Sequence, residues 1–101
     1  MSKSAYSYRI TVTPTGVPNE SVPLRPPFSF DATCHDDIIG IVERARASTG
    51  LEADAAAAMA VGLKLLGEVV LREKANTLFD PLRGGIRDFI GNLKALGRGQ
   101  P

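Results

Sequence analysis

The ten residues DATCHDDIIG, Asp31 to Gly40, hold the only cysteine and the only histidine of the chain, Cys34 and His35, beside Asp31, Asp36 and Asp37. Thiolate, imidazole and carboxylate bind metals and move protons, so any chemistry is first sought here. Zinc takes three or four such ligands, and the patterns of several Cys and His that supply them are absent from a single chain. A Cys–His nucleophile needs its two side chains within hydrogen-bond reach, whereas sequence neighbours point apart on a strand and on a helix. The aspartates, with Asp54, could hold a hard cation, but the spacing of an EF-hand loop is missing. A helix start accounts for the same residues with nothing added. Thr33 or His35 caps it, Asp36 and Asp37 sit at its positive end, and Cys34 packs as a small hydrophobe. This reading leaves no catalytic residue and no metal ligand. A weaker ligand-site reading keeps His35, Asp36 and Asp37 and adds Arg83 and Arg87, one helical turn apart, as a clamp for a phosphate or carboxylate. Two arginines on a solvated helix face are the plainer account of that pair.

The elements that must position these residues follow from periodicity. YSYRITVT alternates, with Tyr6, Tyr8, Ile10 and Val12 on one face, and FSFDA alternates again, with Phe28, Phe30 and Ala32 together; both predict half-buried strands. Between them PTGVPNESVPLRPP carries five of the seven prolines, which predicts an extended loop over about 14–27. Two strands make an antiparallel ribbon, marginal in water unless it packs on helices or gains strands from a partner, and its aromatics are expected to face a helical layer.

Three helical patterns come next. The first runs from about Asp36 to Ser48, with Ile38, Ile41, Val42 and Ala45 as its stripe, Arg44 and Arg46 in its last turn and Gly50 as its left-handed stop. The second, about Glu52 to Lys74, is the longest. Met59, Leu63, Leu66 and Val70 form its main stripe, other apolar residues spread round its sides, and its thin polar face is chiefly Lys64, Glu68 and Arg72 at i, i+4 spacing. Such a helix is usually buried on several sides. The third opens at DP, with Asp80 as cap and Pro81 at the first helical position, and carries the stripe Leu82, Ile86, Phe89, Ile90 and Leu93. Gly84 and Gly85, each costing about 1 kcal/mol against alanine, predict fraying or distortion in its first half. Gly97 can end it, and a disordered tail is expected over about 97–101.

At 101 residues the chain is one domain, and at 44% hydrophobic and 23% charged it can build a core, though a modest one. A net charge of +1 steers it toward neither nucleic acid nor anionic membrane. A lone cysteine suits a reducing compartment, no secretory signal opens the chain, and the apolar run Ala55 to Leu71 falls short of a membrane span, which together predict a soluble cytoplasmic protein.

The blocks YSYRITVTP, HDDIIGIVERARASTG, AVGLKLLGEVVL and LFDPLR resemble a family of small bacterial proteins known only as a domain of unknown function, over roughly Tyr6 to Leu96. The resemblance implies a compact bacterial α+β protein with no assigned activity, substrate or cofactor, so it brings no functional residues. From Phe28 to Lys74 the order of strand, helix, STGLEAD turn and helix is also similar to the ribbon-helix-helix repressors, which insert a strand pair into the DNA major groove. Here the polar strand positions are Ser29 and Asp31, and an aspartate there would be repelled by phosphate.

The expected fold is therefore α+β: a two-stranded antiparallel ribbon followed by three helices, completed by dimerisation, in a single domain spanning 1–101. The expected function is a non-enzymatic, self-associating protein interaction module with no cofactor, its homodimer interface drawn from Met59, Leu63, Leu66 and Val70. A ribbon-helix-helix DNA-binding regulator and a small-ligand binder or enzyme near His35 are the alternatives.

Overall fold

The computed structural model describes residues 5–97. Strands β1 (Tyr6–Val12) and β2 (Phe28–Cys34) pair antiparallel with Tyr6 opposite Cys34 and Val12 opposite Phe28. Helices α1 (Ile38–Ser48), α2 (Ala53–Arg72) and α3 (Asp80–Gly97) follow, with a short 3-10 turn at Thr77–Phe79 leading into α3. The expected ribbon-then-three-helices α+β fold is thus the observed one. No helix among the described residues is long and apolar enough to cross a membrane. The expected loose tail lies, beyond Gly97, outside the described residues.

Proline confines the ladder. Pro14 follows β1 and Pro26 and Pro27 precede β2, so the missing amide hydrogens end the pairing on both strands, and the loop between runs extended apart from a turn closed by Asn19. Both strands contribute their apolar positions to one face, of which Cys34 is buried and Tyr8, Ile10 and Ala32 are half-buried, while Tyr6 opposite Cys34 stays exposed. The Tyr8 hydroxyl accepts from the Ile38 amide at 2.9 Å, tying the ribbon to the start of α1. At the far end Phe28 and Phe30 stack on each other, 6.2 Å between centroids, and remain 60% and 42% exposed. The expectation that the aromatics face a helical layer fails there, because seven-residue strands reach past the helices they pack on.

α1 and α2 form a hairpin. Gly50 supplies the positive φ of 77° that ends α1, where any side chain would be strained. The Thr49 hydroxyl donates to the Ala45 carbonyl at 2.7 Å and accepts from the Leu51 amide, and Arg46 Nε donates to the Ala53 carbonyl at 3.0 Å, so the turn is pinned on both sides. The core of the hairpin is Ala45, Ala56 and Ala60, with Ile41, Val42 and Met59 packed against it. Alanine at the crossing lets the two helices approach closely.

Four expectations about the helices are corrected. Neither Thr33 nor His35 caps α1; Asp37 does, its carboxylate accepting from the Gly40 amide at 3.2 Å, because β2 continues through Cys34 and leaves Thr33 in the strand. Asp37 is therefore the cap and Asp36 lies before it, so neither aspartate occupies the first helical turn. Asp80 is not a cap either. With φ −53° and ψ −43° it already lies inside the helix, and Asn76 caps the preceding 3-10 turn by accepting from the Leu78 amide. Gly84 and Gly85 do not interrupt α3, which runs unbroken to Gly97. Arg83, beside them, braces this turn with four hydrogen bonds: to the Val70 carbonyl in α2, to the Glu73 and Asn76 carbonyls in the connection, and to Asp80 in α3 itself.

α2 reverses the usual arrangement of a surface helix. Two of its charged residues, Lys64 and Glu68, turn inward toward the β2–α1 junction, and Arg72 reaches the same junction with its side chain half exposed. Glu68 is buried, and Lys64 is mostly covered where its Nζ meets Asp36 Oδ2 at 2.6 Å. Ala55, Ala58, Gly62, Leu66 and Val69, which share the other side of the helix, face water. α3 buries none of its residues fully, leaving Leu82 and Phe89 exposed. The radius of gyration, 16.0 Å, exceeds the value of about 13 Å for a compact domain of 100 residues.

Candidate functional site

α3 stands off from α2, and the gap between them is a cleft of about 540 Å³ closed at one end by the β2–α1 junction. Leu63, Val70, Leu71, Ile86 and Ile90 make it largely apolar. Gly67 on α2 and Gly91 on α3 widen it, since a Cβ built on either would meet nothing within 4 Å. A smaller depression of about 350 Å³ continues it between α1, α2 and α3, sharing Asp36, Leu63, Lys64, Ile90 and Lys94.

The closed end is a polar network centred on Glu68. The His35 amide donates to Glu68 Oε1 at 3.0 Å, and His35 Nδ1 lies 3.2 Å from the same oxygen. Arg72 Nη2 approaches Glu68 Oε2 at 3.5 Å and also donates to the Thr33 carbonyl at 3.2 Å and to the Thr33 hydroxyl. Burial pushes the Glu68 carboxyl up, but the hydrogen bonds from His35 and Cys34 outweigh it and hold the group below the ordinary carboxylate range. The hydrogen bond from Lys64 holds Asp36 low against its own burial, with Lys94 assisting.

Cys34 is 1% exposed, and its sulfur accepts from the Asp36 amide at 3.4 Å. Burial pushes its thiol above the ordinary range against that bond, and the Glu68 carboxylate adds to the shift. A thiolate is thus disfavoured where a nucleophile would need one. A neutral thiol-specific reagent such as a disulfide dye is expected to label the native protein at pH 7 at least about a hundredfold more slowly than the urea-unfolded chain, in line with the inertness of buried thiols. Equal rates would show that the site is open.

Of the sequence candidates, His35, Asp36, Arg83 and Arg87 line the cleft and Asp37 does not, being engaged as the α1 cap. Arg83 is consumed by backbone carbonyls of the α2–α3 connection. Arg87 forms no ion pair among the described residues and is the free member of the expected clamp. Sequence reasoning missed Glu68 and Lys94 as site residues. The signal for Glu68 was a single carboxylate midway between two cations on an otherwise apolar helix; for Lys94 there was none. Among the described residues no group of three His, Cys, Asp or Glu is placed to hold a metal ion. Of the four residues expected at a dimer interface, Leu66 is exposed, Val70 is buried, and Leu63 and Met59 are half-buried against the two depressions.

A family model described as a domain of unknown function with a solved structure, DUF3861, matches residues 6–95, from the first residue of β1 into the last turn of α3. The chain is also similar to a protein of unknown function from Pectobacterium atrosepticum whose crystal structure is known. The two are 30% identical, with a TM-score of 0.75, over 89% of this chain and 97% of that one. No curated protein matches.

Proposed function

The chain belongs to the DUF3861 family, a domain of unknown function, and from that premise we propose that it is a non-enzymatic interaction module that pairs with a second copy of itself through the outer face of α2. The observation that carries this reading is the reversal of α2. A helix face turned to water ordinarily holds the charges, and here Ala55, Ala58, Gly62, Leu66 and Val69 hold none. Leu66 and Val69 are each more than two-fifths exposed. Alanine and glycine along the first half of this face let a second helix come near. The expanded radius of gyration and the small alanine core support the same conclusion, since one copy buries little apolar surface by itself.

The other readings have less behind them. On the polar face of the ribbon, the single cation Arg9 is spent on Asp31 directly across the ladder, which removes the charge a DNA phosphate would seek. The burial of Cys34, with its thiol pushed above the ordinary range, counts against nucleophilic catalysis near His35.

Light scattering on the intact chain at micromolar concentration is expected to return twice the chain mass of 10.7 kDa. Leu66→Glu with Val69→Glu would place unpaired carboxylates in the contact and is expected to weaken pairing by at least about a hundredfold, giving a folded monomer. A monomer mass for the unaltered chain, or an unchanged dimer after both substitutions, would end the proposal.

A further inference from the structure

The geometry points to the α2–α3 cleft as a binding site for a small amphipathic carboxylate, with its apolar body between Leu63, Ile86 and Ile90 and its anionic head held by Arg87 and Lys94. The volume, about 540 Å³, falls within the range of about 300–1,000 Å³ usual for small-molecule pockets, which are mostly apolar with a few placed polar groups. The charge of the head follows from elimination. Of the charged groups that line the cleft, Lys64 is paired with Asp36, Glu68 with His35 and Arg72, and Arg83 with Asp80 and three carbonyls. Arg87 and Lys94 alone are left without an ion-pair partner among the described residues, and both are cationic. Seven residues apart on α3, they stand two turns from each other on the same side, about 10 Å along the axis, with Ile90 and Gly91 between them. An anion there meets two long, adaptable cations beside an apolar floor, which a cationic or uncharged amphiphile would leave to water. Gly67 and Gly91 make the room for the body: in each wall the side chain that would fill the gap is absent.

The probe is decanoate, titrated below its micelle concentration into the intact chain and followed by calorimetry, with decanol as the uncharged counterpart. Saturable binding of one decanoate per chain is expected, and Arg87→Ala with Lys94→Ala should weaken it by about tenfold or more, the worth of a charge-assisted contact. Gly91→Leu should abolish it while the melting temperature holds or rises, because the new side chain enters open space and leaves a helix glycine behind. Decanol binding as tightly as decanoate, uptake without saturation, or decanoate binding that survives Gly91→Leu would each overturn the assignment. The cleft lies on the flank of α2 opposite the outer face, so the dimer mass of Gly91→Leu, read by light scattering, separates failure of this site from failure of self-association.

Discussion

Glu68→Ala is expected to cost about 2–4 kcal/mol of folding stability, the loss typical when one partner of a buried, charge-assisted network is removed. The Glu68 side chain is only 10% exposed and is the common acceptor for the end of β2 and the later turns of α2. His35 and Arg72 are largely exposed, so both can return to water, and this keeps the figure from being larger. The His35 amide has no such recourse within the network. Urea unfolding of the two proteins measures the difference, and a loss under about 0.5 kcal/mol, the size of an ordinary surface substitution, would show that the network is ornamental. The acid limb offers a second reading. Glu68 and Asp36 both titrate below their ordinary values in the folded protein, so the unfolded chain takes up protons first. Their contribution is complete above the ordinary carboxylate range and is lost as pH falls through the lowered folded values. The unaltered protein should therefore lose stability on acidification below about pH 4.5, and Glu68→Ala should show a flatter acid limb.

Arg83→Ala is expected to release α3. Nη1 of Arg83 donates to the Val70 carbonyl at 3.1 Å, Nη2 donates to the Glu73 and Asn76 carbonyls at 2.8 and 2.9 Å, and Nε pairs with Asp80. One planar group thus closes the end of α2, the turn after it and the first turn of α3. Its side chain is partly exposed, so the loss is expected at about 2 kcal/mol, below the sum of its bonds. Amide exchange in α3 should quicken by about thirtyfold, the equivalent of that energy, while the α1–α2 hairpin stays protected. Arg83→Lys should recover less than half of the loss, because an ammonium cannot present the same fork of donors to three carbonyls. Full rescue by lysine, or equal loosening of α1, would show that Arg83 is not the fastening of α3.

The ribbon, the three helices and their approximate limits were legible because each is local. Alternation in YSYRITV, the 3.6 period of α1 and α3 and the glycine after α1 state themselves within a few residues. The orientation of α2 was not legible. With apolar residues all round and one line of charges, spacing argues that the charges face water, and Lys64 and Glu68 do not. The reason lies in partners far along the chain: the Asp36 carboxylate, the His35 amide and the Thr33 carbonyl at the β2–α1 junction, which need Lys64, Glu68 and Arg72. The cap of α1 failed for a smaller reason. Four consecutive polar candidates, interrupted only by Cys34, run from Thr33 to Asp37, and what selects Asp37 is how far β2 extends, set by pairing with β1. Spacing alone makes Arg83 and Arg87 a pair. One answers the protein's own carbonyls and the other is free, a division that no helix wheel displays.

The alanine crossing of α1 and α2 carries a consequence for how this chain can vary. In most proteins the costly interior change is truncation, which leaves a void. Ala45, Ala56 and Ala60 have only a methyl group each to surrender, so shortening them removes little beyond a modest helix preference. Enlarging Ala56, which borders neither depression, has nowhere to go, and must prise the hairpin apart and disturb the turn at Gly50 with it. The α1–α2 crossing is thus forgiving of loss and intolerant of growth, so its permitted substitutions should cluster at the small end of the size scale and widen toward the ribbon tip and α3.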